Sequence, residues 1–206
     1  MLARILARST GRAYAAYLAR LWLLSALGAA LTAAGARITI PWWPVPATLQ
    51  VFFVLLCGLV LGRRWGAAAQ AQYVAAGALG LPVFAAGRAG PAALLGPTGG
   101  YIVGFIAAAY VTGWLRDLWD AAGRSGERPL RHGWTAAGRY AATLVGAGVV
   151  WLFGWAWLAV WAAAGAESAP LRAAFRWGVV PFIALDVIKA MAAAAVGRLL
   201  TRNTGE

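Results

Sequence analysis

Two residues in this 206-residue chain combine charge and spacing in a way that suggests chemistry: Asp186 and Lys189. Lys189 is the one lysine among eighteen basic residues, and it lies in an apolar run three residues after Asp186. Helical spacing of three puts both side chains on one face. A charge at membrane depth costs a few kcal/mol even on the lenient insertion scale, and burying an ion pair rarely benefits stability over an apolar replacement. A pair kept at that cost reads as a ligand site, with a structural pair that fixes helix packing as the other reading. An ionised Asp offers acceptors only and Lys three donors, which suits a polar, planar ligand with N–H donors, or an anion.

Other chemistries lack their residues. His132 is the sole histidine, and no Ser, His and acid converge, so no catalytic residue is expected. No His/Cys cluster is spaced to hold a metal. The single Lys follows Ile188, so the chain has no phosphate-binding G-x-x-x-x-G-K-[ST] motif. ATP-driven work would need a partner with the nucleotide site. An intramembrane enzyme lacks its nucleophile–base pair. Cys57 is the only cysteine, which excludes an internal disulfide and suits a small packing residue.

The elements that must position the pair follow from composition. The chain is 62% hydrophobic and 12% charged, against about 25% charged in soluble domains. Such a chain needs lipid as solvent. At roughly 20 residues per span, the expectation is an all-α membrane protein of six transmembrane helices in one domain covering 1–206. The spans are expected at 14–36, 49–62, 65–80, 99–115, 140–165 and 178–200. Pro41, Pro44 and Pro46 forbid a regular helix between Arg37 and Thr48, and Leu81 to Thr98 is a second long Gly/Pro connection. A polar segment, Arg116 to Arg139, separates spans four and five, and no removable signal peptide is expected.

The net charge of +12 is read as topology rather than as nucleic-acid binding. With six spans, one side holds Arg4, Arg8, Arg12, Arg20, Arg63, Arg64, Arg116, Arg124, Arg128, Arg131, Arg139, Arg198 and Arg202. The other holds Arg37, Arg88, Arg172 and Arg176. Basic residues favour the cytoplasm, so both termini are expected there, with the two Pro/Gly loops on the outer face. The localisation is then the cytoplasmic membrane, multi-pass.

Three segments carry a family resemblance. Ile40-Pro-Trp-Trp-Pro-Val-Pro-Ala-Thr-Leu-Gln50 resembles the P-V-P-x-T-L-Q segment of the BioY family, the biotin-binding S components of energy-coupling factor (ECF) transporters. Gly80-Leu-Pro-Val-Phe-Ala85, Gly96-Pro-Thr-Gly-Gly-Tyr101 and Gly104-Phe105 resemble its G-L-P-V-F-A…G-P-T-G-G-Y/F-x-x-G-F signature. Asp186-Val-Ile-Lys189-Ala190 resembles its D-x-x-K-A. The order and spacing match from Ile40 to Ala190. One departure is Ala184-Leu185, where the family often has Pro-Gly.

The resemblance implies an S-component fold that takes up biotin with an ECF coupling transmembrane subunit and two ATPase subunits. A self-sufficient, oligomeric transporter is the alternative. It implies Asp186 and Lys189 as polar ligand contacts, Phe84, Gly99, Gly100 and Tyr101 as rim and wall, and Thr48, Gln50 and Trp43 as further contacts. Arg88 is read either as a partner for the biotin carboxylate or as a solvated loop residue. Tyr101 is equally readable as an interfacial aromatic, and Gly99-Gly100 as a close approach of backbone. Ala26, Ala30 and Ala34 form a small-residue line, with Ala29 and Ala33 on the next. Such faces suit docking of the coupling subunit or packing inside the bundle. No cofactor is implied; biotin is the transported ligand.

Overall fold

Gly62 has φ 78° and ψ 177° inside an otherwise helical stretch, a conformation open to glycine and strained for other residues. It reverses the chain. The Gln50 amide lies within hydrogen-bonding distance of the Tyr73 hydroxyl, 23 residues on; a straight helix would hold them about 35 Å apart. The helix α2 (Gln50–Ala78) is therefore two antiparallel arms, meeting at the place where the sequence reading separates spans 49–62 and 65–80. Gly66 lets the arms touch: a Cβ there would come within 2.9 Å of the Cys57 carbonyl oxygen.

The computed structural model describes residues 2–124 and 132–202, with side chains of residues 2–10, 12, 122–124, 132–136 and 202 left aside. Its order is α1 (Leu2–Gly35), β1 (Thr39–Ile40), β2 (Ala47–Thr48), α2, α3 (Pro91–Leu95), α4 (Gly99–Arg124), α5 (His132–Ala164), α6 (Pro170–Gly178) and α7 (Ile183–Arg202). Among the described residues, four stretches are long and apolar enough to cross a membrane: Ala13–Gly35, Gln50–Ala78, Ala137–Ala164 and Pro170–Thr201. The second doubles back at Gly62, and the fourth is interrupted by a 3-10 turn at Val180–Phe182. Among the described residues the regular structure is helical apart from β1 and β2, a two-stranded antiparallel ribbon pairing Thr39 with Thr48. That ribbon is how the proline-rich segment satisfies its backbone without a helix.

Several helix boundaries differ from the sequence expectation, beginning with α1, which starts at Leu2 rather than 14. α4 continues past 115 to Arg124, and α5 begins at His132 rather than 140. Charged residues end an apolar span but not a helix, and Arg, Leu, Trp and Ala all sustain helical backbone. The polar 116–139 connection is thus largely helical where described; residues 125–131, with Arg128 and Arg131, lie outside the described residues, as do the side chains of Arg4, Arg8, Arg12, Arg124, His132 and Arg202. The last helix starts at Ile183 rather than 178, because Pro181 in the 3-10 turn cannot donate to a continuous α-helical ladder. The short connector read at 166–177 contains α6, opened by Pro170 at its first turn.

α2 is the centre of the bundle, packing against α1, α4 and α7, while α5 closes the other side against α4, α6 and α7. Polar side chains join α1 to the second arm of α2: Gln70 donates to Thr32 Oγ1 and Gln72 to Ser25 Oγ. The Ala29 and Ala33 line packs on the core, whereas Ala26, Ala30 and Ala34 face outward. Free Cys57 is buried against Gly28.

The turn at Gly62 is locked from α4. Arg116 Nη1 donates to the Leu59 carbonyl at 2.7 Å, satisfying an orphan acceptor at the end of the first arm. The same guanidinium pairs with Asp117 at 2.6 Å and Asp120 at 3.6 Å, and Arg63 approaches Asp117 at 3.9 Å. These side chains are partly exposed, so the ion pairs contribute little, and the capping bond matters more. Arg116→Met is expected to lower stability by about 1 kcal/mol, read as a few degrees in the thermal unfolding of detergent-solubilised protein, while Arg63→Met has a smaller effect.

Candidate ligand-binding site

Helix starts converge at one end of the bundle. The first residues of α2, α4 and α7 meet there under the ribbon segment and the 81–98 connection. Between them is a cavity with about 530 Å³ of unfilled space, its open mouth included. Val45, Pro46, Ala47 and Thr48 come from the ribbon segment, Gln50 and Val51 from α2, and Ala85 and Thr98 from the second connection. Tyr101, Ile102 and Phe105 come from α4, Val150 from α5, and Phe182, Asp186 and Lys189 from the last helix and its 3-10 turn. An apolar lining with a few placed polar groups is usual for sites that take a small organic ligand.

Asp186 is the electrostatic centre. It is 3% exposed and lies in the first turn of α7, where the helix dipole favours an anion. Lys189 Nζ donates to its Oδ1 at 2.7 Å, and Trp151 Nε1 on α5 donates to its Oδ2 at 2.9 Å. A carboxylate has about four acceptor sites, so two remain for a ligand. Lys189 likewise keeps two donors beyond the one given to Asp186. The pair is therefore satisfied without being saturated.

The remaining polar lining is graded. Tyr101 donates to the Gly178 carbonyl at 2.7 Å, which fixes its ring in the wall and leaves its oxygen able to accept. Thr48 Oγ1 donates to Gln50 Oε1 at 2.9 Å, and Gln50 is held by Tyr73. Thr98 is buried, and its hydroxyl has no partner among the described residues. Its hydroxyl joins the open acceptor sites of Asp186 and the spare donors of Lys189 as polar capacity in the lining.

Among the residues singled out from sequence, the structure brings together Asp186, Lys189, Tyr101, Thr48 and Gln50. Phe84, Gly99, Gly100, Trp43 and Arg88 do not line the cavity. Phe84 is 1% exposed and supports the site from behind, with its ring edge-on to Tyr73 at 5.5 Å and flat against Gly77. Gly99 and Gly100 are close-packing positions: a Cβ on the first would overlap the Leu94 carbonyl and on the second Trp157. Trp43 is exposed and stacks obliquely on Trp177 at 6.0 Å. Arg88 is half-buried and donates to the carbonyl of cavity-lining Ala85 at 3.3 Å, next to the wall but not in it.

Sequence reasoning missed Trp151 and Thr98. Nothing in the sequence separates Trp151 from the other eleven tryptophans. Thr98 stands in the Gly96–Tyr101 segment, and its position between Pro97 and Gly99 was the available signal.

The fold of this chain has a counterpart among solved structures. It superposes on the S-component for biotin from an ECF-type ABC transporter with a TM-score of 0.71, covering 90% of this chain and 93% of that one at 24% identity. The chain belongs to the BioY family, whose model matches residues 8–206. A probable biotin transporter BioY from Pyrococcus horikoshii is 41% identical over 181 residues, 88% of this chain and 96% of its own length. The biotin transporter BioY of Thermotoga maritima is 40% identical over 173 residues, 84% and 90% of the two chains.

Proposed function

We propose that this chain binds biotin at the Asp186 cavity and carries it across the cytoplasmic membrane as the substrate-specific subunit of an ECF transporter. The observation that carries the reading is an apolar cavity with one unsaturated carboxylate at its floor, in a chain of this family. Biotin has two ureido N–H donors that diverge on either side of its carbonyl, and one of them can donate to the open acceptor sites of Asp186. Its fused rings suit Val51, Ile102, Phe105 and Phe182. Its carboxylate tail then points towards the loops, where Arg88 is anchored beside the wall.

In this reading the two arms of α2 count as separate spans, giving six with α1, α4, α5 and α7. Both termini and the Gly62 turn lie in the cytoplasm, and the cavity opens outward. The outward-facing Ala26, Ala30 and Ala34 line offers a close-approach surface for the coupling transmembrane subunit, whose two ATPases supply the energy. Likeness to an S component favours this arrangement over self-sufficient transport.

Titration calorimetry of biotin into detergent-solubilised protein tests the binding step, and one site per chain is expected. Uptake in cells lacking every coupling ATPase tests the partner step; sustained accumulation there would overturn partner dependence. Thr98→Val removes the free hydroxyl with little change of shape. It is expected to weaken biotin binding roughly 3- to 10-fold, the worth of one neutral hydrogen bond, with unfolding temperature unchanged.

A further inference from the structure

Resting on the biotin reading, we infer that Trp151 is a positioning residue that sets the orientation of the Asp186 carboxylate and thereby the preference for a ligand with N–H donors. Trp151 does not line the cavity. It reaches Asp186 from α5, thirty-five residues away in sequence, and donates Nε1–H to Oδ2 at 2.9 Å. Lys189 holds Oδ1 from the next turn of α7 at 2.7 Å.

A carboxylate on a short side chain can rotate about its terminal bond, and that torsion is broad. One donor on one oxygen leaves much of this rotation free. Two donors from different elements, one on each oxygen, fix the plane. With Lys189 on α7 itself, the contact from α5 is, among the described residues, the one hydrogen bond that ties the carboxylate to the rest of the bundle. The two remaining acceptor sites are then presented to the cavity together. A fixed carboxylate favours a ligand that directs an N–H donor at it over one that has none. Preorganisation of this kind changes affinity by sparing the ordering cost on binding. An indole N–H also suits the place better than a second cation, because it donates one bond and takes no second acceptor site.

Tyr101 reports on the same geometry from the other wall. Its hydroxyl is committed to the Gly178 carbonyl, two residues before the 3-10 turn that leads to Asp186. Tyr101 fixes the approach of α7, and Trp151 fixes the carboxylate upon it.

The test compares Trp151→Phe with wild type against three ligands: biotin, desthiobiotin (ureido group retained, thioether ring lost) and a biotin analogue methylated on both ureido nitrogens. The substitution keeps an aromatic ring and removes the donor. Affinity for biotin and desthiobiotin is expected to fall by about tenfold, and the already weak binding of the methylated analogue to stay the same. In an Asp186→Asn background the same substitution is expected to have no further effect on biotin binding. An equal loss for all three ligands, or unchanged biotin affinity, overturns the inference. A second measurement does not depend on the variant folding. With 15N-labelled indole groups, one of the twelve tryptophan N–H resonances of the wild type should move strongly on Asp186→Asn; twelve unmoved resonances would contradict the assignment. Wild-type protein that does not bind biotin defeats the transport reading and the inference with it. Wild type that binds while Trp151→Phe is unchanged defeats the inference alone.

Discussion

Asp186→Asn is expected to reduce biotin affinity about 100-fold while the protein still folds. A charge-assisted hydrogen bond from the ureido group is at stake, worth about 1.5–3 kcal/mol, with every 1.4 kcal/mol a factor of ten. The amide keeps one acceptor oxygen, so some of this survives. Its NH₂ group, however, faces either the Trp151 indole N–H or the Lys189 ammonium, both donors. Full loss of a buried pair's partner costs about 3–5 kcal/mol. Here the cost to folding is smaller, because the Lys189 side chain is 13% exposed and borders the cavity. Lys189→Ala leaves Trp151 on the carboxylate and should weaken binding less, by about tenfold. Calorimetric titration of both variants, with thermal unfolding in parallel, separates a ligand effect from a folding effect. Equal affinities for wild type and Asp186→Asn would remove Asp186 from the site.

The second large effect is structural. Gly100→Ala should destabilise the protein by about 1–3 kcal/mol, the usual cost of forcing extra atoms into a packed contact. A Cβ at Gly100 would overlap Trp157 Cβ and lie 2.5 Å from the Phe153 carbonyl oxygen. A backbone carbonyl in mid-helix cannot swing aside, so α4 and α5 would have to separate. Gly148 is the control, since a Cβ there meets nothing within 4 Å. Gly148→Ala should leave stability unchanged or raise it by up to about 1 kcal/mol through helix propensity alone. Paired thermal unfolding curves decide this. Biotin affinity of the folded fraction of Gly100→Ala should stay near wild type, because Gly100 does not line the cavity. A selective loss of biotin binding in a stable Gly100→Ala would put this glycine at the ligand.

These two positions show what the sequence carries and what it does not. Asp186 and Lys189 are legible because a charged pair in an apolar run is costly, and the spacing of three fixes a shared face. The reversal at Gly62 is legible because Arg63-Arg64 ends an apolar run there. Helix ends are less so: polarity at Arg116 and Arg139 marks where an apolar run stops, while the backbone remains helical to Arg124 and from His132.

Motif resemblance finds the cavity neighbourhood but not the side of each residue. Thr48, Gln50 and Tyr101 face the cavity, whereas Phe84, Gly99 and Gly100, equally prominent in the motifs, serve the packing around it. Trp151 was illegible for a physical reason. Its partner lies on another helix, and tryptophan in a membrane chain is ordinarily a lipid-facing or interfacial residue. Only the crossing of α5 and α7 brings its N–H to Asp186.

The central claim is that biotin occupies the Asp186 cavity, and a structure of the purified protein with biotin bound tests it most directly. The expected result places one ureido nitrogen within hydrogen-bonding distance of the Asp186 carboxylate, the fused rings between Ile102, Phe105 and Phe182, and the carboxylate tail towards the 81–98 connection. Biotin found instead in the apolar groove between α4 and α5, beside Gly100, Phe153 and Trp157, with the Asp186 cavity empty, would contradict it.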